Sequence, residues 1–328
     1  MDKEIVLITG ATGFVGSHVS REIVATGKYK VLAIVRHINN YKNTNALSKD
    51  GVLLIRGLFY DDQVLEAIFN EHRVGYIIHL AALRGAGSGE ESEYYKVNVL
   101  GTELLLEHAL RSGIKKFLFC STVGVYGTIP SKVPAGLSTP LAGDNAYHQS
   151  KISAEQRVLN YIAKGLDGYI IRPAIIYGLG DRGFPARLID LVRRHHLLLP
   201  SRDIRIHLLF VQGLSNVINN IIEARHLKER IFIVADEEPI SFSELVNRIH
   251  IHYNNNRYPR YYRIPTIIYH IASIFLRYVG NYKWESRAAW VSKDWHYDIE
   301  ETKNSLNYLP FDTREEFIKN MSTLEQGC

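Results

Sequence analysis

The chain has 328 residues, 46% of them apolar, a length that suggests roughly two domains and a composition that excludes disorder. Lys and Arg total 39 against 34 acids, a surplus too mild for a nucleic-acid binder. Two cysteines, Cys120 and Cys328, exclude a disulfide framework and a four-thiolate zinc site, and they fit a reducing compartment.

The opening Met1-Asp2-Lys3-Glu4 is charged, and the apolar run behind it breaks at Thr9-Gly10. No secretory signal is expected, and a cytoplasmic location is. A β-branched strand at 5–8 runs into a glycine turn and then a helix at 17–26. Strands are expected at 31–35, 52–55, 76–80, 117–120 and 169–172, and helices at 62–70, 94–111 and 146–163. This alternation predicts an α/β fold, a doubly wound parallel sheet of the Rossmann type.

After Gly178 the rhythm changes. Arginines thicken, Pro and Tyr increase, and helices dominate. One more strand is expected at 231–234. One more helix is expected at 241–251, opening on a Ser241 cap with Glu244 at capping-box distance. The division is therefore a cofactor domain at 1–178 with a return strand near 206–234, and a smaller, partly interleaved substrate lid at 179–328. The stretch 254–262 reads as a surface loop. The apolar segment 264–279 contains Pro265, His270 and Arg277, so it is no clean spanning helix. It is expected to pack on its own domain rather than to contact a membrane.

The turn Gly10-Ala11-Thr12-Gly13-Phe14-Val15-Gly16 has the spacing G-x-x-G-x-x-G between a strand and a helix. Glycines there permit the tight turn, the approach of backbone to a pyrophosphate, and close helix packing. The helix N-terminus then offers unpaired N–H groups to the phosphates. A turn that merely needs small residues is the alternative. The end of the second strand reads Val35-Arg36-His37, with no acid until Asp50. A carboxylate there would suit NAD, and an arginine suits the extra phosphate of NADP, so Arg36 favours NADP(H). Arg36 stacked on adenine, or solvated, would leave NAD in use.

Tyr147-His148-Gln149-Ser150-Lys151 is a Tyr-x-x-x-Lys on an expected helix. Positions i and i+4 share a face, so a phenol and an ammonium can serve one site. The cation stabilises phenolate and makes the phenol a usable base. Cys120-Ser121-Thr122 ends the fifth strand, where ligands collect in such sheets.

These motifs, with His79-Leu80-Ala81-Ala82, Asn98 in Val97-Asn98-Val99, Val125-Tyr126-Gly127, Arg172-Pro173-Ala174 and Leu306-Asn307-Tyr308-Leu309-Pro310, occur in a specific order. The chain resembles an extended short-chain dehydrogenase/reductase of the NAD-dependent epimerase/dehydratase type, over nearly its whole length. The resemblance implies Tyr147 as acid/base, Lys151 holding the nicotinamide ribose and lowering the Tyr147 pKa, and Thr122 as the catalytic hydroxyl. It implies an NAD(P) site formed by Gly10, Gly13, Phe14, Val15, Gly16, Arg36, Leu58, Leu80, Ala81, Ala82, Asn98, Tyr147, Lys151 and Pro173. It implies a substrate site drawing on Arg84, Ser121, Thr122, Tyr147, Ile175 and Arg187, with no metal. Asn98 pins the long helix near the site or serves a structural bond only. A homodimer through the helices at 94–111 and 146–163 is expected.

Several positions depart from the family pattern. Leu58 stands where relatives carry an adenine-binding Asp, Ile175 stands for a substrate-binding Asn, and Gln212-Gly213 replaces a later x-Asp. Arg182, Arg187, Arg193, Arg194, Arg202 and Arg205 crowd the lid; guanidinium forks suit a diphosphate, although a solvated face explains most of them. Arg205 and Arg287 are further candidates for the site. The leading expectation is an epimerase or 4-keto reductase of a nucleoside-diphosphate sugar. An NADPH-dependent reductase of an apolar ketone, with 264–279 lining its pocket, is the alternative. A catalytically silent cofactor-binding regulator is a third. The loop 84–89, rich in glycine, is expected beside the substrate or as a surface loop with no role.

Overall fold

The computed structural model describes residues 3–38, 42–84, 90–279 and 288–325. Residues 85–89 of the glycine-rich loop, and Arg287, lie outside the described residues.

β1 (Glu4–Thr9) leads through the glycine turn into α1 (Phe14–Ala25), followed by β2 (Tyr29–Val35), α2 (Lys42–Lys49), β3 (Leu53–Arg56), α3 (Asp62–Glu71) and β4 (Val74–His79). α4 (Glu91–Tyr94), a π-helical segment at Tyr95–Leu100 and α5 (Gly101–Arg111) come next. The helix expected at 94–111 is therefore interrupted by a wide turn centred on Asn98. β5 (Lys116–Cys120), α6 (Ala146–Ala163), β6 (Gly168–Pro173) and β7 (Ile175–Tyr177) complete the first half.

Beyond it lie α7 (Phe184–Arg193), β8 (Leu199–Pro200), β9 (Arg205–Ile206), β10 (Leu208–Phe210), α8 (Val211–Glu223), β11 (Ile231–Val234), β12 (Ile240–Ser241), α9 (Phe242–Asn254), β13 (Arg263–Ile264) and α10 (Thr266–Tyr278). Short helices at Glu300–Leu306, Thr313–Lys319 and Met321–Glu325 follow. Ser241 caps α9, its hydroxyl accepting from the Glu244 N–H at 3.0 Å. The stretch 254–262 contains a 3-10 turn at Arg260–Tyr262 rather than loop alone.

The central sheet has the order β11-β6-β5-β4-β1-β2-β3, and every pairing in it is parallel. Its strands are apolar runs because helices cover both faces. β6 is buried at all six positions. β11 closes the sheet beside β6, so residues beyond Gly178 complete the first fold. β7 pairs with β10, β9 with β12, and β8 with β13 in small satellite ladders.

Strand order reverses between β1 and β4, which makes their C-terminal ends the switch point where ligands of such sheets bind. The register aligns Thr9 with His79 and His79 with Phe119 there.

The segment 264–279 departs from expectation. α10 is amphipathic, but Ile267, Ile268, Ile271, Ile274, Phe275 and Tyr278 face outward and are exposed. Helical spacing defines a stripe without fixing which side of the helix meets the domain. Among the described residues, no helix is long and apolar enough to cross a membrane.

Candidate active site

The glycine turn is sterically obligatory. Gly10 has φ +78°, and a Cβ on it would lie 2.7 Å from the Ala81 nitrogen. A Cβ on Gly16 would lie 2.1 Å from the Gly10 oxygen. Gly13 caps α1 without any side-chain hydrogen bond, so the first-turn N–H groups receive no acceptor from that residue. Backbone thus forms a cradle that side chains cannot fill, beside a positive helix end. That cradle fits a dinucleotide pyrophosphate.

A directed hydrogen-bond chain fixes the switch point. Ala81 N–H donates to Thr9 Oγ1 at 3.2 Å, and Thr9 Oγ1 lies 2.6 Å from His79 Nδ1. His79 Nε2 lies 2.9 Å from Thr102 Oγ1, and that hydroxyl donates to the Asn98 carbonyl at 2.6 Å. With the Thr102 proton committed to Asn98, His79 must donate from Nε2 and accept at Nδ1. Burial, with Lys151 nearby, pushes its pKa down to about 3, so the imidazole is neutral.

Tyr147 and Lys151 stand one turn apart on α6. The helix starts where it does because Asn145 Oδ1 accepts from the His148 N–H at 2.9 Å. Lys151 Nζ donates to the Cys120 carbonyl at 2.7 Å and lies 4.0 Å from the Phe119 ring centroid. It is thereby held against the tip of β5. Burial lowers its pKa to about 8, with Cys120 and Glu155 opposing. Burial raises the Tyr147 pKa, Cys120 adds to the rise, and Arg84 is the cation that opposes it.

Thr122 Oγ1 accepts from the Gly124 N–H at 3.0 Å, which caps a 3-10 turn at Val123–Tyr126 and leaves the hydroxyl proton available to a ligand. Ser121 Oγ is buried and finds no hydrogen-bond partner among the described residues. A buried hydroxyl left so is a place for a ligand or water.

Asn98 is engaged by protein on every side. Its Oδ1 accepts from the Leu83 N–H at 2.8 Å, and its Nδ2 donates to the Leu83 carbonyl at 3.0 Å and to Ser150 Oγ at 2.9 Å. It therefore clamps the strand-four loop to the first turns of α6. The wide π turn lets one side chain reach both, as such bulges do at functional sites. Behind α6, Arg172 Nη2 donates to Glu155 Oε2 at 2.6 Å and Nε to Oε1 at 3.0 Å, while Nη1 donates to Tyr126 Oη at 2.7 Å. This buried bidentate pair fixes α6 on β6 and buries Tyr126 fully.

Around the cradle, Phe14, Val15, Leu58, Leu80, Ala81 and Ala82 are half-buried. Arg36 is exposed directly after β2, and Asp50, the next acid along, is occupied by Arg21 at 2.7 Å. Pro173 is buried at the end of β6, and Ile175 is half-buried on β7. Arg84 is exposed on the strand-four loop.

The arginine-rich lid largely dissolves into other duties. Arg193 lies 5.0 Å from the Tyr253 ring centroid. Arg194 pairs with Asp190 at 2.7 Å, Arg202 with Asp294 at 3.2 Å, and Arg205 with Glu238 at 3.8 Å. Arg182 and Arg187 are exposed on α7 and the turn before it. His195 Nε2 meets His250 Nε2 at 2.9 Å, on an adjoining helix. The apolar stripe of α10, which the apolar-substrate alternative drew on, is open to solvent.

Sequence reasoning missed three contributors. One is the Cys120 carbonyl, a backbone atom with no residue signature. Another is Phe119 under Lys151. The last is Asp144, which sits 2.7 Å from His148 Nδ1 and also accepts from Thr128 N–H at 2.7 Å. Burial opposes its ionisation, yet these bonds hold its pKa down at about 2. Its place four residues before His148 is a signal the sequence did contain.

Comparison with known proteins agrees with this geometry. Residues 6–207 match the model of the NAD dependent epimerase/dehydratase family. A UDP-glucose 4-epimerase of Halalkalibacterium halodurans is 33% identical over 153 residues, covering 46% of this chain and 44% of that protein. The chain thus spans about half the length of that curated relative. A UDP-glucose 4-epimerase of Vibrio cholerae is 28% identical over 325 residues, covering 96% of this chain and 93% of the other. A UDP-glucose 4-epimerase of Thermotoga maritima, solved with UDP-glucose, shares the fold with a TM-score of 0.77 at 21% identity, covering 98% of this chain and 99% of that one. With the family match extending over more than half of the chain, the protein belongs to the NAD dependent epimerase/dehydratase family.

Proposed function

We propose that the protein exchanges hydride and a proton at a hydroxyl-bearing carbon of a nucleoside-diphosphate sugar, as an epimerase or 4-keto reductase. One observation carries this reading. Lys151 is held at the tip of β5, Thr122 directly follows that strand, and Tyr147 precedes Lys151 by one turn of α6, at the C-terminal end of the sheet where the glycine cradle also lies.

Gly10, Gly13 and Gly16 hold the pyrophosphate of NAD(P), and Lys151 holds the ribose next to the ring. The bound nicotinamide supplies the acceptor and donor of hydride. Tyr147 donates its phenolic proton to a substrate carbonyl oxygen as hydride reaches the carbon, and takes a proton from the hydroxyl in the reverse direction. Burial favours the neutral phenol, the form that donates, and the phenolate left after donation is the base of the reverse direction. Thr122 donates a hydrogen bond to the same substrate oxygen. Arg84 offsets the burial of Tyr147 and lies toward the sugar. Arg187 reaches toward the diphosphate.

Arg36 supports the 2′-phosphate of NADP(H) over NAD, since Asp50 is already paired. The UDP-glucose 4-epimerases among the curated relatives support the sugar nucleotide. Pairing with a second copy through α5 and α6 is supported by exposed Tyr95 and Leu100 beside that face.

The test is to denature fresh protein, identify the released nucleotide by chromatography, and measure thermal stabilisation by UDP-hexoses. Retained NAD with stabilisation points to an epimerase. Exchangeable NADPH with stabilisation points to a 4-keto reductase. Absence of stabilisation by any sugar nucleotide removes the substrate class.

A further inference from the structure

α10 presents its most apolar face to solvent. Ile267, Ile268, Ile271, Ile274, Phe275 and Tyr278 recur at helical spacing along its 13 residues, and Ile274, Phe275 and Tyr278 are 71%, 62% and 89% exposed. The orientation is set by the opposite side. Tyr269 Oη donates to the Leu198 carbonyl at 2.7 Å, Thr266 N donates to Ser201 Oγ at 3.2 Å, and Arg202 N donates to Thr266 Oγ1 at 3.0 Å. β13, directly before the helix, is paired to β8. The stripe is therefore anchored outward, and a contiguous apolar face of this size marks a docking surface.

Charge identifies the occupant. The 40 residues from Leu245 to Trp284 contain no Asp or Glu, and they contain five arginines and one lysine. Arg257 and Arg260 are exposed just upstream of α10, and Arg263 is half-buried in β13. Tyr261, 78% exposed, stands between them. An apolar helix face with aromatic ends beside an acid-free cationic loop complements an anionic bilayer surface. A second copy is a poorer fit, because a two-fold contact would set this cationic loop against its own image. The one-sided apolar stripe of α10 suits a contact parallel to the surface.

We propose that α10 and the preceding arginines dock the protein on an anionic lipid surface, with the Ile271, Ile274 and Phe275 side chains entering the headgroup boundary. The proposal is independent of the substrate assigned above.

Sedimentation with phosphatidylcholine vesicles, with and without about one-third phosphatidylglycerol, tests it directly. Binding is expected to the anionic vesicles, at least about tenfold tighter than to neutral ones, and to weaken with salt. Ile271→Glu with Ile274→Glu should lower anionic-vesicle binding about tenfold or more. Arg257→Gln with Arg260→Gln should lower it about tenfold. Cofactor binding and melting temperature, measured on the same samples, separate lost docking from lost folding, and the arginine pair stands as the test should the glutamates unfold the chain. No binding of the wild type to anionic vesicles overturns the proposal. So does binding unchanged in both double variants. So does a vesicle-independent dimer that the glutamate pair dissociates in a protein that does not bind vesicles, which would assign the face to a second copy.

Discussion

Asn98 Nδ2 donates to Ser150 Oγ at 2.9 Å, and Ser150 in turn donates to the Tyr147 carbonyl at 2.8 Å. Tyr147 is thus tied through one serine to a π turn on a neighbouring rod. Because Asn98 also holds Leu83 by two bonds, it joins the strand-four loop to α6.

Replacing Asn98 with Ala leaves the Leu83 amide and carbonyl without their partner in a buried place. The expected cost is about 1–3 kcal/mol of stability. A positioning role for Asn98 predicts that kcat falls more than KM rises. Equal kcat with a lowered melting temperature alone would assign it a purely structural role.

Tyr147→Phe removes one oxygen and keeps the ring. The expected loss in kcat is roughly 10²- to 10⁴-fold, with cofactor affinity held within about twofold. Steady-state kinetics and cofactor titration check it. Turnover near the wild-type rate would move the acid/base role elsewhere.

Arg36→Ala tests cofactor choice. The exposed guanidinium has no carboxylate competing for the ribose hydroxyls, and its removal should weaken NADP(H) about tenfold or more while changing NAD affinity little. Calorimetric titration with both nucleotides gives the ratio. Equal weakening would place Arg36 on the adenine instead.

His79 gives the pH dependence a sign. Its imidazole has a pKa of about 3 when folded against an ordinary value of 6.5. Between those values the unfolded chain binds the proton and the folded chain does not. Stability from this group is therefore complete above pH 6.5 and is lost as pH falls below it, with a limiting slope of about 1.4 kcal/mol per pH unit. Thermal unfolding of His79→Gln should show a shallower decline between pH 7 and 5 than the wild type. Parallel curves would mean that His79 takes up its proton in the fold as readily as in the unfolded chain.

Much of this was legible in the sequence. α6 spans Ala146–Ala163 as its pattern requires, because Asn145 is a local cap and Lys164-Gly165 a local stop. The strands could be read because two-sided burial demands unbroken apolar runs, and the glycine turn because only a bare backbone fits beside Ala81. What escaped depends on residues far apart in the chain. The π turn at Tyr95–Leu100 is a response to Leu83 and Ser150, neither of which is near Asn98 in sequence. The lid arginines found carboxylates and a tyrosine that no local spacing announces. The stripe on α10 was visible as a period, but its direction was set by Leu198 and Ser201, which lie 71 and 65 residues from their partners.

Hydride exchange on a sugar nucleotide, with Tyr147 as proton partner, is open to direct test. The most direct measurement is turnover of UDP-galactose, UDP-glucose and a 4-keto sugar nucleotide by protein supplied with NAD or NADPH, followed by anion-exchange chromatography of the products. Conversion of at least one of them by the wild type, and its loss in Tyr147→Phe that still binds cofactor, is the expected result. A cofactor-loaded wild type that converts none of them, or a Tyr147→Phe variant that converts them equally well, would contradict the claim.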